Sequence, residues 1–162
     1  MNAIVPAPDF TIRETQLEDL EEILLHRRYM FRDMGYGDEA ILDEIVHTSR
    51  PFVRQSLIDM SYLGWFAVAP NGRVAAGVGL MLSPWVASPR DPDHARRPYL
   101  LNVYTYPGFR KRGLARLLTQ SSIAWCREHG FRTLWLHASE YGKPVYESLG
   151  FKPTNEMKLL ID

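Results

Sequence analysis

Apolar and polar positions change their spacing several times along the chain, and each change marks a predicted element. Residues 10–13 alternate apolar and polar side chains, as a short strand does. Residues 17–34 then carry apolar side chains at helical spacing, and Asp38 is placed to cap a second helix. Pro51 either breaks this second helix or restarts it. The first third of the chain is therefore predicted to be one strand and two helices.

The middle of the chain has the pattern of a β-hairpin and a further strand. Residues 63–69 and 74–82 are β-rich runs, and the turn sequence of residues 70–73 between them favours an antiparallel hairpin. Residues 99–106 have strand character again. Residues 83–98 hold four prolines and mixed charges, which predicts a loop, either mobile or part of a lid that faces the substrate.

The last third contains the most regular helical pattern, over residues 113–129. It is followed by a predicted strand at 132–137, a short helix at 143–149 and a last strand at 156–161. Helices and strands that alternate in this order indicate an α/β architecture with a mixed sheet.

Length and composition narrow the class of protein. With 162 residues, of which 46% are hydrophobic and 23% charged, the chain is expected to be one globular domain over 1–162, with its core at about 10–161. Nineteen Lys and Arg balance nineteen Asp and Glu, so we expect no nucleic acid and no membrane as partners.

Cysteine, histidine and apolar segments limit the chemistry further. Cys126 is the only cysteine, which excludes an internal disulfide and favours a reducing compartment. The five histidines show no metal-ligand spacing with acidic partners, so no metal is expected. The first residues lack a signal-peptide pattern, and the apolar run at 75–82 is too short to span a bilayer. A cytoplasmic location is therefore expected.

One turn between a predicted strand and a predicted helix has an unusual charge. The first turn of the helix at 113–129 follows a basic run, Arg110, Lys111 and Arg112, although the helix dipole disfavours positive charge there. Unpaired N–H groups at a helix start attract anions, and a glycine at 113 lets the backbone approach a ligand closely. A solvated basic turn would have the same composition, but a pyrophosphate site explains the position of the glycine as well.

Two motifs here resemble those of the GNAT acetyltransferase superfamily. Arg110, Gly113 and Ala115 match the Arg/Gln-x-x-Gly-x-Gly/Ala signature between a strand and a helix. Tyr146, four residues before the Gly150-Phe151 pair, matches the late motif of the same family. The resemblance implies a GNAT-like α/β fold with a mixed, mostly antiparallel central sheet of about six to seven strands flanked by four helices.

The resemblance also implies acetyl-CoA as the cosubstrate and an N-acetyltransferase activity. In the family, the strand before the signature contacts the pantetheine arm through its backbone, and N–H groups of the turn bind the pyrophosphate. An Asn is usual where Ser139 stands, which leaves a side-chain contact there open. The cofactor-binding residues implied in this way are Val103, Tyr104, Thr105, Arg110, Lys111, Arg112, Gly113, Leu114, Ala115, Arg116 and Ser139.

Tyr146 corresponds to the family tyrosine that hydrogen-bonds or protonates the leaving thiolate. A lysine-like amine is only about one part in two thousand neutral at pH 7, so a base or a water chain is also expected. Candidates for the base are Glu140 and His137, together with Asp33 and Glu39 between the first helices. None of these is favoured strongly over the others by the sequence.

The predicted reaction is direct attack of a primary amine on the thioester in a ternary complex. A non-catalytic acyl-CoA sensor is the alternative, because the motifs indicate cofactor binding more strongly than turnover. The acceptor is expected to be a small-molecule or peptide amine selected by residues 33–40 and 83–98. Arg27 and Arg28 are interpreted as a solvated helix face that an acidic acceptor could use. A homodimer is left open.

Overall fold

The fold was analysed on a computed structural model that describes residues 9–161. Its elements, in chain order, are β1 (Thr11–Glu14), α1 (Leu20–Asp33), α2 (Glu39–Ile58), β2 (Tyr62–Val68), β3 (Val74–Pro84), β4 (Arg96–Thr105), α3 (Leu114–Glu128), β5 (Trp135–Leu136) and α4 (Lys143–Ser148). Single 3₁₀ turns at Leu17–Asp19 and Pro107–Phe109 precede α1 and α3. The predicted element order is confirmed up to α4.

The strands form one sheet in sequence order, β1-β2-β3-β4-β5. The pairs β1–β2, β2–β3 and β3–β4 are antiparallel, and β5 is parallel to β4. The predicted β2–β3 hairpin is confirmed, and its turn is closed by the Ala69 N–H, which donates to the Arg73 carbonyl at 2.9 Å. The sheet is therefore mixed and mostly antiparallel.

Helices cover the sheet in two hydrophobic clusters. In one cluster, buried residues of α3 such as Leu114 and Leu118 pack with strand residues that include Val78. In the other, Ile23 of α1 and Leu57 of α2 pack with residues of β2 and β3. No helix among residues 9–161 combines the length and the apolar character needed to cross a bilayer.

The strand count is lower than predicted, with five strands in place of about six to seven. The predicted strand at 132–137 is reduced to Trp135–Leu136, and the predicted strand at 156–161 does not form in the structure. A strand exists only where its backbone pairs with another strand. Residues 156–161 have strand-like composition but their side chains are exposed, as for Met157 at 98%. The α/β class with four helices is confirmed.

Pro51 lies inside α2, which continues through it to Ile58. A proline within a helix removes one hydrogen bond and costs about 3 kcal/mol. Leu42 before it and Val53 after it are both buried, so the helix is held against the protein on both sides of the proline. Tertiary packing therefore outweighs the local signal for a break.

The geometry of β4 creates the space for a site. β5 pairs with β4 only at Tyr99 and Leu100, and the pairing of β4 with β3 shifts register opposite Gly77 and Gly79. At this irregularity Asn102 has a φ of 52°, a left-handed conformation that Asn tolerates better than most residues. Beyond Leu100, no strand among residues 9–161 lies beside this edge of β4.

Replacing Gly77 by Ala tests the close packing of β3 against α1. A Cβ at position 77 would lie 2.6 Å from Nδ1 of His26 and 2.8 Å from the Phe66 ring, both of which are buried. We expect Gly77→Ala to lower the free energy of unfolding by about 1 to 3 kcal/mol, as overpacked cores do. Urea denaturation measures this loss.

Gly37→Ala is the matched control, because a Cβ at position 37 would meet no atom within 4 Å. Its free energy of unfolding should stay within about 0.5 kcal/mol of wild type. Equal effects of the two substitutions would contradict the close contact at Gly77.

Candidate functional site

A cleft of about 660 Å³ lies where the end of β4, the start of α3 and the turn before α4 meet. It is called the larger cleft below. Eleven of the fourteen predicted site residues line it: Val103, Tyr104, Thr105, Arg110, Lys111, Gly113, Leu114, Ala115, Arg116, Ser139 and Tyr146. The structure thus brings together residues that are more than 40 positions apart in the chain.

The turn over residues 111–116, here called the amide turn, has the backbone geometry of an anion site. Lys111 and Gly113 both adopt left-handed φ values, 61° and 75°, and α3 begins directly after Gly113. No acceptor among residues 9–161 receives a hydrogen bond from the N–H groups of 111–116. Such successive free N–H groups at a helix N-terminus favour a bound anion.

Two arginines at the amide turn, Arg110 and Arg116, are held by the protein itself. Arg110 donates from Nε to the Thr105 carbonyl at 3.0 Å and forms an ion pair with Asp33 of α1. Arg116 donates to the Ser148 hydroxyl at 2.6 Å, which connects α3 to α4. These bonds fix the shape of the turn, while Lys111 has no ion pair among the described residues.

Arg112 lies outside the larger cleft. Its Nη2 donates to the Gly108 carbonyl at 3.4 Å, and its guanidinium stacks 5.7 Å from the centre of the Phe109 ring. The structure therefore places the Arg112 side chain against the preceding turn, and only its backbone N–H belongs to the amide turn.

Tyr146 is buried at 9% exposure on α4, where its ring lies edge-on to Phe151 with centroids 5.8 Å apart. A Cβ at position 142 would come within 2.8 Å of the tyrosine ring, so Gly142 permits its position. Burial raises the pKa of the Tyr146 phenol to about 12. The phenol is thus fully protonated at neutral pH and can act as a hydrogen-bond donor.

A second space of about 270 Å³, called the smaller cavity, adjoins the larger cleft. Both are lined by Met30, Met34, Val103, Ser139 and Tyr146. Met30 and Phe31 of α1 line the smaller cavity together with Met34, which follows the helix. α1 therefore presents apolar side chains both to the core and to the smaller cavity.

The base candidates are separated by the structure. His137 lines the smaller cavity, whereas Glu140 is exposed and lines neither space. Asp33 lines the larger cleft but is paired with Arg110. Glu39 pairs with Arg28 and Arg32, away from both spaces.

Ser139 lines both spaces, and its hydroxyl accepts a hydrogen bond from the Gly142 N–H at 3.1 Å. This bond shapes the turn before α4, so the serine has a local structural partner. Residues 83–98 were predicted to select the acceptor, but none of them lines the larger cleft or the smaller cavity.

Two residues of the smaller cavity's wall, Arg27 and Asn102, were not connected from the sequence, and the buried Tyr62 lies behind them. Arg27 donates from Nη1 to the Asn102 Oδ1 at 2.9 Å, and Asn102 donates to the Tyr62 hydroxyl at 3.3 Å. Tyr62 is fully buried, which raises its pKa to about 12. An Asn within the apolar run of β4 was the one available signal, since a buried polar side chain needs partners.

A buried polar cluster joins α1 to the end of β4. Glu22 accepts hydrogen bonds from His26 at 3.1 Å and from the Tyr106 hydroxyl at 2.9 Å. The bond with His26 is the main reason that the pKa of Glu22 lies below its usual range, and burial opposes it. The His26 ring also packs 5.3 Å from that of Tyr104, which lines the larger cleft.

Neither a metal centre nor a thiol belongs to the described site. Residues 9–161 contain no group of three or more His, Cys, Asp or Glu side chains that could hold a metal ion. Cys126 is 4% exposed in the core, and burial raises its pKa to about 12.

The sequence and the fold of this chain are similar to those of known proteins. The sequence model of the Acetyltransferase (GNAT) family matches residues 17–151. A search of curated proteins finds no match. A solved GCN5-related N-acetyltransferase from Ralstonia eutropha JMP134 is 36% identical, with a TM-score of 0.88 over 94% of this chain and 98% of that one.

Two further solved structures share the fold at lower identity. A predicted acetyltransferase with acetyl-CoA from Clostridium acetobutylicum is 22% identical, with a TM-score of 0.81 over 94% of this chain and 96% of that chain. Glucosamine-6-phosphate N-acetyltransferase from Arabidopsis thaliana is 18% identical, with a TM-score of 0.61 over 94% of this chain and 99% of that chain.

The Glu22 cluster predicts a pH dependence of stability. A carboxylate whose folded pKa is lowered stabilises the fold above its unfolded pKa, and this stabilisation is lost as the pH falls through the folded pKa. We expect Glu22→Gln to cost about 1 to 2 kcal/mol at pH 7, and the difference from wild type to shrink below about pH 4. Denaturant unfolding between pH 3 and pH 7 gives both quantities.

Glu21→Gln is the control, because Glu21 is 69% exposed and its ion-pair partner within residues 9–161 is Arg50 at the surface. Its difference from wild type should be small and nearly constant with pH. A Glu22→Gln variant whose difference from wild type did not change with pH would contradict the proposed stabilisation.

Proposed function

The chain belongs to the GNAT acetyltransferase family, and we propose that it moves an acetyl group from acetyl-CoA to a primary amine by direct attack in a ternary complex. The observation that supports this most is the amide turn, where the N–H groups of 111–116 have no acceptor in the described part of the protein. It opens into the same cleft as the buried Tyr146.

The larger cleft fits acetyl-CoA in charge and in hydrogen-bonding capacity. The amide turn would bind the pyrophosphate with N–H groups and the positive end of the α3 dipole. The edge of β4 from Val103 to Thr105 has no strand beside it, so its backbone can bond the amide-bearing pantetheine arm. The similar protein from Clostridium acetobutylicum was solved with acetyl-CoA, which agrees with this choice of cosubstrate.

Tyr146 lines both spaces, so the thioester would lie beside it, between cosubstrate and acceptor. Attack of the amine nitrogen on the thioester carbon forms a C–N bond, and the C–S bond then breaks to release the thiolate of CoA. With the pKa of Tyr146 at about 12 and that of a thiol near 8.5, full proton transfer to the thiolate would cost about 5 kcal/mol. Tyr146 is therefore proposed to donate a hydrogen bond that strengthens as negative charge develops on sulfur.

The amine must lose a proton before or during attack. Of the four base candidates only His137 lines the smaller cavity, and histidine is the side chain that most often acts as a general base. We propose His137, directly or through water, as the proton acceptor. Glu140 lines neither space, which argues against it.

Direct transfer agrees with the position of the cysteine. An acyl-enzyme intermediate needs a nucleophile beside the thioester, and Cys126 lines neither space. Its burial and its raised pKa of about 12 leave almost no thiolate at neutral pH. The acetyl group would thus pass from sulfur to nitrogen in one transfer.

A sensor that binds acyl-CoA without turnover is the second candidate function. The hydroxyl of Ser139 accepts a local hydrogen bond from the Gly142 N–H, whereas the family usually has an Asn at this position. This departure from the family motif favours the sensor. The two functions predict the same cosubstrate affinity and differ only in chemistry.

Replacing Gly113 by Val tests the cosubstrate site. We expect wild type to bind acetyl-CoA in the micromolar range by calorimetry, and Gly113→Val to bind at least about tenfold more weakly. A branched side chain at a left-handed φ distorts the amide turn and blocks close approach of the phosphates.

Gly130→Val is the matched control, because Gly130 has a φ of 77° just beyond the other end of α3 and does not line the larger cleft. It should lose comparable stability while keeping the affinity for acetyl-CoA. Absence of binding by wild type would reject the enzyme and the sensor together.

Replacing Tyr146 by Phe separates the enzyme from the sensor. Loss of a hydrogen bond to the developing thiolate should lower kcat by about 10- to 100-fold. The Kd for acetyl-CoA should remain within about twofold, because the ring and its packing are kept. Release of free CoA in the presence of a panel of amines measures kcat, and calorimetry measures Kd. A wild-type protein that binds acetyl-CoA and acetylates no amine of the panel would favour the sensor.

A further inference from the structure

The smaller cavity contains a cation without a counter-charge. Arg27 of α1 lines it, donates from Nη1 to the Asn102 Oδ1 at 2.9 Å and lies 4.9 Å from the centre of the Phe31 ring. The Nε of Arg27 is buried and has no hydrogen-bond partner in residues 9–161. None of the ion pairs formed within that part of the chain includes Arg27.

The neighbouring arginine, Arg28, does have carboxylate partners. Arg28 forms ion pairs with Glu39 and Asp43 of α2, and Arg32 one turn later also pairs with Glu39. The two arginines therefore do not form one solvated face, and of the two only Arg27 is left for the acidic acceptor that the sequence allowed. Arg28 has two carboxylate partners, whereas Arg27 points to a cavity.

The charge on Arg27 persists in this setting. Burial lowers the pKa of Arg27 below its ordinary value, but a guanidinium stays protonated in proteins at neutral pH. A partly buried charge with an unbonded N–H is unfavourable unless an anion accepts from it. An anion that enters the cavity would pair with the guanidinium and relieve this cost.

The lining of the smaller cavity also favours a negatively charged group on the ligand. No Asp or Glu of the described chain lines it, so a second ammonium group on the acceptor would find no carboxylate there. Polyamines and other polycations are disfavoured for this reason. The volume of about 270 Å³ suits a small molecule.

Arg27 is also held in one orientation before anything binds. Asn102 accepts from its Nη1 and is itself bonded to the buried Tyr62. The left-handed φ of 52° at Asn102 lies at the register shift between β4 and β3. The wall of the cavity is thus preorganised, which reduces the entropy lost on binding.

We propose that the amine acceptor is a small molecule that also carries a carboxylate or phosphate group, and that Arg27 binds this anion while the amine lies toward Tyr146. This inference rests on the proposed acetyl transfer, because it assigns the smaller cavity to the acceptor. It adds the charge of the acceptor and the residue that recognises it.

The test compares amines that differ only in the anion. Glycine and β-alanine are paired with ethylamine and propylamine, and phosphoethanolamine with ethanolamine, each with saturating acetyl-CoA. Wild type should show kcat/KM values at least about tenfold higher for the anionic member of at least one pair, as expected for a charge-assisted hydrogen bond. The pair with the larger ratio distinguishes carboxylate from phosphate.

Arg27→Gln removes the charge and keeps a donor for Asn102, and Arg28→Gln is the neighbouring control. Arg27→Gln should reduce the ratio by at least about tenfold, mainly through KM for the anionic amine, and Arg27→Lys should restore part of it. Arg28→Gln should leave the ratio unchanged. Preference for the neutral amines by wild type, or an equal loss for both members of a pair in Arg27→Gln, would overturn the inference.

An NMR measurement keeps this inference separate from the proposed function. The Nε–H resonance of Arg27, assigned by its absence in Arg27→Gln, should shift when acetate or inorganic phosphate is added to the protein with CoA bound. If no amine is acetylated but the resonance shifts, acetyl transfer fails and the anion site stands. If amines are acetylated and the resonance does not respond, the anion site fails and acetyl transfer stands.

Discussion

Both spaces of the candidate site depend on the separation of β4 from β5. The two strands pair only at Tyr99 and Leu100, and β4 then continues for five residues to Thr105 with one free edge. Backbone groups at a sheet edge need a partner, and in the interior of a sheet they would have one. The larger cleft and the smaller cavity both lie against this part of β4. Without the separation neither space would exist.

The two spaces have different chemistry. The larger cleft presents backbone N–H groups and the start of α3, which suit an extended anionic ligand. The smaller cavity is bounded by apolar side chains of α1 and by Arg27, which suits a compact molecule with one negative group. Tyr146 belongs to both, and its burial keeps the phenol protonated. A transfer reaction needs such a junction, because the two reactants must meet while each is held by its own contacts.

α1 determines the electrostatics of the acceptor side. Its arginines have different partners. Arg28 and Arg32 form ion pairs with a carboxylate of α2, whereas Arg27 donates to the side-chain amide of Asn102. The helix itself is fixed to the residue that follows β4 by the hydrogen bond from the Tyr106 hydroxyl to Glu22. Adjacent residues on one helix thus differ in role because their side chains leave the helix in different directions, one toward α2 and the other toward β4.

The sequence by itself determined the element order up to α4, the hairpin and the strand-to-helix turn, because these follow from local spacing and from glycine and proline chemistry. It also determined the family, through Arg110, Gly113, Ala115 and Tyr146. Only the tertiary structure decided that residues 156–161 form no strand and that α2 continues through Pro51, since strand pairing and helix burial depend on distant partners. The same holds for Arg27. The position of its side chain depends on Asn102, 75 positions away. No local sequence pattern predicts whether a charged side chain will contact a carboxylate, water or a cavity.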